Sequence, residues 1–127
     1  MRNNITDDTD APRLRIRILF GEALMLGPGK VDLLERIQQF GSIAAAGRSM
    51  SMSYKRAWSL VEEMNRAFKT PLVDSSRGGA KGGGASLTEA GEEVLVNYRK
   101  LEEIMAEAGA ARISSIRAML RDIPEGK

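Results

Sequence analysis

The sequence predicts an α+β fold in which three consecutive helices are framed by short β segments and a long helix follows. Three observations predict it. Between residues 30 and 68, apolar residues recur at helical spacing in three runs, broken by Gly41 and by Ser51-Met52. Thr70-Pro71 closes that region, and five of the eleven residues from Ser75 to Ala85 are glycine, with β-type residues on either side. After Thr88, Glu89, Glu92 and Glu93 open a helix where its dipole favours acids, and its apolar spacing continues past residue 105.

The elements follow in order. Residues 1–12 are polar and read as a flexible tail. Leu14, Ile16, Ile18 and Phe20 alternate with Arg13, Arg15, Arg17 and Leu19, a period of two that marks a strand with one apolar and one mostly basic face. Gly21 and Glu22 end it, and Ala23 to Leu26 is a short apolar link. The first helix runs from about Lys30 to Phe40, with Leu33, Leu34, Ile37 and Phe40 on one face and Gly41 as its stop. Ser42 caps a second helix, Ile43 to Met50, kept slim by Ala44, Ala45, Ala46 and Gly47. Ser53 caps a third, Tyr54 to about Phe68. Its inward arc is Ala57, Trp58, Leu60, Val61, Met64 and Phe68, and its outward face carries Lys55, Ser59, Glu62 and Arg66.

Trp58 is thus expected in the core, where truncation to alanine costs ~3–5 kcal/mol. Tyr54 stands at the edge of the arc and is open to either environment. Leu72-Val73 and Ala85 to Leu87 are the outgoing and returning strands of a hairpin. On the fourth helix Val94, Tyr98, Leu101, Met105 and Ala108 make a 3.5-residue seam suited to lengthwise pairing. Tyr98 and Leu101 can pack internally or against a second copy, and a homodimer through Val94, Tyr98, Leu101 and Met105 is the favoured reading. Gly109 weakens that helix. A last amphipathic piece carries Ile113, Ile116, Leu120 and Ile123. The expected division is a tail at 1–12, a compact domain at 13–88 and a C-terminal helical segment at 89–123 that forms a homodimer.

Composition removes most chemistry. The chain of 127 residues has no cysteine and no histidine, which excludes disulfide scaffolds, zinc fingers, thiol nucleophiles and histidine bases. The adjacent carboxylates Glu62-Glu63, Glu92-Glu93 and Glu102-Glu103 point about 100° apart on a helix and converge on nothing. Neither an enzyme nor a cofactor or metal site is expected. No apolar run is long enough for a membrane span and no secretory leader opens the chain, so a cytoplasmic protein is expected. The net charge of +2 says little, but residues 42–61 hold Arg48, Lys55 and Arg56 without an acid.

Two short helices joined by a tight turn, the second capped and basic at its start, describe a helix-turn-helix. The face left outside holds Ser51, Ser53, Tyr54, Lys55, Arg56 and Ser59, residue types that bond phosphates and reach base edges in a major groove. The glycine-rich hairpin, with Arg77, Lys81, Gly82 and Gly83, reads as a wing whose backbone lies close to a phosphate chain. A nucleotide phosphate loop is disfavoured, because no Gly-Lys-Ser/Thr follows. The partner is therefore expected to be double-stranded DNA. The alternative is a helical protein-interaction module with an incidental basic patch.

The run from Gly27 to Asn65, with MSYKRAW at 52–58, the glycine-rich wing from Gly78 to Thr88 and TEAG at 88–91, resembles the N-terminal domain of the molybdate-dependent transcriptional regulators, the ModE family. That domain is a winged helix-turn-helix related to those of LysR-type regulators. The resemblance spans Leu14 to about Leu101. It implies a DNA-binding dimer whose third helix, with Ser51, Ser53, Tyr54, Lys55, Arg56 and Ser59, enters the major groove. Arg77 and Lys81 then fall to the wing. Molybdate- or metal-uptake genes become the expected targets. The residues after Leu101 hold no second β-rich domain of the kind that binds molybdate in the full regulator, so the effector is left open.

Overall fold

The computed structural model describes residues 11–76 and 84–121. Its elements are β1 (Ile18–Phe20), β2 (Leu24–Leu26), α1 (Pro28–Phe40), α2 (Ile43–Ser49), α3 (Tyr54–Ala67), β3 (Val73–Ser76), β4 (Gly84–Leu87), α4 (Glu89–Ala108) and α5 (Ala110–Ala118). Packing divides the chain into two units. Residues 15–100 make up one, and residues 11–14 and 101–121 are the described part of the other. The first unit thus takes in the opening turns of α4, beyond the expected limit at residue 88.

The three helices form where their caps are. Pro28 enters α1 at its first turn, where a missing N–H costs nothing. Gly41 ends it at φ 70, a left-handed conformation that glycine adopts without strain. The Ser42 hydroxyl accepts the Ala45 N–H at the start of α2, and Ser53 accepts that of Arg56 at the start of α3. Between α2 and α3 the chain turns through Ser51, which takes φ 59. For a non-glycine residue that conformation costs ~1 kcal/mol.

The interior of the first unit has two apolar clusters. The larger joins Leu33, Leu34 and Ile37 of α1 to Ile43 and Ala46 of α2, Leu60, Val61 and Met64 of α3, and Leu72 and Val73. The smaller joins Leu24 and Leu26 to Val31, Leu95 and Tyr98, and Phe68, Leu87 and Val94 pack against both. Gly47 lets α2 cross α3 closely, since a Cβ there would lie 2.9 Å from that of Ala57. Charged groups add specific ties. Buried Lys30 pairs with Glu63 at 3.3 Å, linking α1 to α3, and Arg99 bonds Asp32 and Glu35 of α1.

Several elements depart from the sequence-based expectation. The alternating run from Leu14 to Phe20 forms a strand only over Ile18–Phe20, and the expected link at Ala23–Leu26 supplies its antiparallel partner, β2. Burial explains the exchange: Leu24 and Leu26 fill the inner side, while Ile16 and Ile18 are only half-buried and Phe20 is 48% exposed. β3 begins at Val73 and runs on through Asp74, Ser75 and Ser76, paired with β4 from Val73↔Leu87 to Ser76↔Gly84. Trp58 is not a core residue. It is half-buried against the larger cluster, because α3 turns it toward the β3–β4 side, where an open groove lies.

The seam on α4 also divides. Tyr98 is 2% exposed and its hydroxyl donates to the Ile16 carbonyl, so it is held inside its own unit. Val94 packs against both clusters. In the second unit no described residue is buried: Leu101 and Ile113 are half-buried, and Ile104, Met105, Ile116, Met119 and Leu120 are exposed. No helix among the described residues is long and apolar enough to cross a membrane.

Candidate nucleic-acid interface

The outward face of α3 begins with the turn that precedes it. Ser51, Ser53, Tyr54, Lys55, Arg56 and Ser59 are all exposed. They stand together because Ala57, Leu60, Val61 and Met64 occupy the inward stripe at helical spacing. The first turn of α3 holds no acid. Arg48, at the end of α2, is exposed beside this segment in the chain. Arg48, Lys55 and Arg56 make no ion pair among the described residues. Cations that do pair lie elsewhere: Lys30 holds Glu63, Arg66 lies 4.0 Å from Glu62 one turn away, and Arg99 is engaged by α1. The face therefore presents positive charge that no ion pair among the described residues neutralises.

The helix is held stiffly. The guanidinium of Arg36 on α1 donates to the hydroxyl and carbonyl of Ser49, fixing the end of α2. Asn65, on the far half of α3, accepts the N–H groups of Leu72 and Val73 at 2.8 and 3.1 Å and donates to the Val73 carbonyl at 3.1 Å. This clamp ties the start of β3 to α3. Sequence reading missed it; the signal was a polar residue in phase with Val61 and Phe68, five residues before Thr70-Pro71.

Other anchors hold the hairpin stem. The Ala85 N–H donates to the Gly41 carbonyl at 2.9 Å. Thr88 donates its N–H to the Leu72 carbonyl and its hydroxyl to that of Pro71, and accepts the Gly91 N–H as the cap of α4. The stem is thus bonded to α1, α3 and α4. The wing positions Arg77, Lys81, Gly82 and Gly83 lie outside the described residues.

Of the four residues expected at a dimer seam, Val94 and Tyr98 are spent in their own core, Leu101 is half-buried and Met105 is exposed. The buried stripe of α4 is Gly91, Leu95 and Tyr98, and Leu95 lies one residue off the spacing that the seam assumed.

The family model for the bacterial regulatory helix-turn-helix proteins of the lysR family matches residues 29–92, α1 through the first turn of α4. The chain belongs to that family. As a lysR-family helix-turn-helix protein it falls among bacterial regulatory proteins. Its relatives include the transcriptional regulator ModE of Haemophilus influenzae, 40% identical over 93 residues that cover 73% of this chain and 36% of that protein. The DNA-binding transcriptional dual regulator ModE of Escherichia coli is 36% identical over 87 residues, 68% of this chain and 33% of that protein. The molybdenum-pterin-binding protein MopA of Rhodobacter capsulatus is 40% identical over 83 residues, 65% and 31% of the two chains. This helix-turn-helix protein therefore spans about a third of the length of these relatives. Among solved structures, full-length CbnR complexed with its target DNA shares the fold, with a TM-score of 0.52 at 17% identity over 68% of this chain and 28% of that one.

Proposed function

We propose that this lysR-family protein is a DNA-binding transcriptional regulator of the ModE type that acts as a homodimer. The observation that carries the reading is the outward face of α3, where Lys55 and Arg56 are exposed without an ion pair among the described residues and Ser51, Ser53, Tyr54 and Ser59 surround them. Cations and hydroxyls at the start of a rigid helix suit phosphate oxygens and base edges of a major groove. Arg77 and Lys81 on the wing add contacts to the flanking backbone. The glycines at Gly82 and Gly83 allow close approach there.

The second unit supports the homodimer. Ile104, Met105, Ile116, Met119 and Leu120 are exposed there, and no described residue is buried. A helical segment bearing that much uncovered apolar surface is covered by a second copy in this reading. The dimer then sets two recognition helices about 34 Å apart, to meet successive major grooves. The molybdenum-related names of the relatives support molybdate- or metal-uptake genes as targets.

Selection of bound fragments from random duplex DNA, followed by sequencing, tests the reading. Enrichment of a two-fold-related motif with half-sites one helical turn apart is the expected result. Retention that is weak and indifferent to salt between 50 and 200 mM, where phosphate contacts predict a steep fall, overturns it.

A further inference from the structure

An open groove of about 690 Å³ runs beside α3, between the start of α2 and the β3–β4 stem. Tyr54 and Trp58 form one wall, their ring centroids 6.2 Å apart and the rings nearly perpendicular. Ser42, Ser75 and Ser76 bring hydroxyls, and Glu62 brings a carboxylate. The indole N–H of Trp58, the Tyr54 hydroxyl and the hydroxyls of Ser75 and Ser76 make no hydrogen bond among the described residues. A tryptophan N–H usually finds a hydrogen-bond partner when buried, and Trp58 is half-buried. This one lines a space rich in unused donors and walled by rings.

We infer that the groove seats the sugar–phosphate backbone of one DNA strand, and that Trp58 contacts it through its indole N–H. This deepens the DNA-binding reading and rests on it. The backbone of a nucleic acid offers acceptor oxygens to the groove's neutral donors and apolar sugar faces to its aromatic rings. Neutral side chains supply many of the phosphate bonds in protein–DNA complexes. Tyr54 belongs both to the outward face of α3 and to the groove wall, so a strand lying along that face continues into the groove. Glu62 opposes a polyanion there, and among the described residues its ion pair is with exposed Arg66 one turn on, at 4.0 Å.

The contact has a signature that a cationic contact lacks. Losing a lysine–phosphate contact lowers the slope of log affinity against log salt, whereas losing a neutral donor lowers affinity at every salt concentration and leaves the slope unchanged. Trp58→Phe removes the N–H and keeps an aromatic ring. Trp58 is also the one tryptophan of the chain, so its emission reports this site alone.

The test measures binding of the full chain to a labelled duplex from the random-DNA selection, by anisotropy at several salt concentrations, with circular dichroism confirming the fold of each variant. Trp58→Phe is expected to weaken binding about tenfold, equal to about 1.4 kcal/mol, with an unchanged salt slope. Glu62→Gln is expected to tighten it several-fold. In the wild type, duplex should shield Trp58 from acrylamide quenching. Wild-type affinity in Trp58→Phe, or a Trp58 as open to acrylamide in the complex as in the free protein, overturns the inference while leaving the DNA reading intact. A wild type that binds no duplex overturns both.

Discussion

Replacing Gly91 by alanine tests the packing that sets the wing stem on α4. A Cβ at Gly91 would lie 2.2 Å from the carbonyl oxygen of Leu72, 3.1 Å from its carbon and 3.3 Å from the Leu87 Cβ. Ordinary carbon–oxygen approaches stop near ~3.3 Å, so helix or strand must yield by about an ångström. Leu72 has little room to yield. It is fully buried, its N–H is held by Asn65 at 2.8 Å, and its carbonyl already accepts the Thr88 N–H at 2.9 Å. Overpacking costs ~1–3 kcal/mol and each disturbed hydrogen bond ~1 kcal/mol, against a helix-propensity gain of ~1 kcal/mol for alanine over glycine.

The net expectation is a loss of about 2–3 kcal/mol. For a unit of this size that lowers Tm by roughly 10–20 °C. Thermal and urea unfolding followed by circular dichroism, at one fixed protein concentration, measures it. Gly29→Ala is the control, because nothing lies within 4 Å of a Cβ there; it should be neutral or stabilising by up to ~1 kcal/mol. A Gly91→Ala protein at least as stable as the wild type would refute the reasoning, since propensity alone would then be at work.

Other perturbations separate packing from recognition. Lys55→Ala with Arg56→Ala should weaken DNA binding and reduce the salt slope by about two, leaving urea unfolding unchanged, because both side chains are exposed and make no ion pair among the described residues. Gly47→Ala, with its Cβ 2.9 Å from that of Ala57, should cost ~1–2 kcal/mol in urea unfolding, and a second change, Ala57→Gly, should relieve the clash. Asn65→Ala strips three hydrogen bonds from the base of β3 and should cost ~2–3 kcal/mol by the same assay. Ile104→Glu with Met105→Glu places charge on exposed apolar positions, so light scattering should report a monomer with unchanged circular dichroism; a persistent dimer would move the interface elsewhere.

The sequence by itself determined the helix framework. Gly41, Ser42 and Ser53 act within one turn of themselves, so their caps could be read from neighbouring residues alone. The outward position of Lys55 and Ser59 followed in the same way, from the helical phase of Ala57, Leu60, Val61 and Met64. What only the tertiary structure decided depends on residues far apart in the chain. Leu24 and Leu26 became a strand because Tyr98 and Leu95 gave that short apolar run an interior to fill, a pairing that periodicity over three residues does not encode. Tyr98 was removed from the expected seam by a carbonyl 82 residues earlier. Trp58 shares the apolar phase of α3, yet phase reports only which side of a helix faces the protein. Whether packed atoms or an open groove await it there is fixed by where the β3–β4 stem docks, and Asn65, Gly41 and Gly91 dock that stem through contacts specific to the assembled fold.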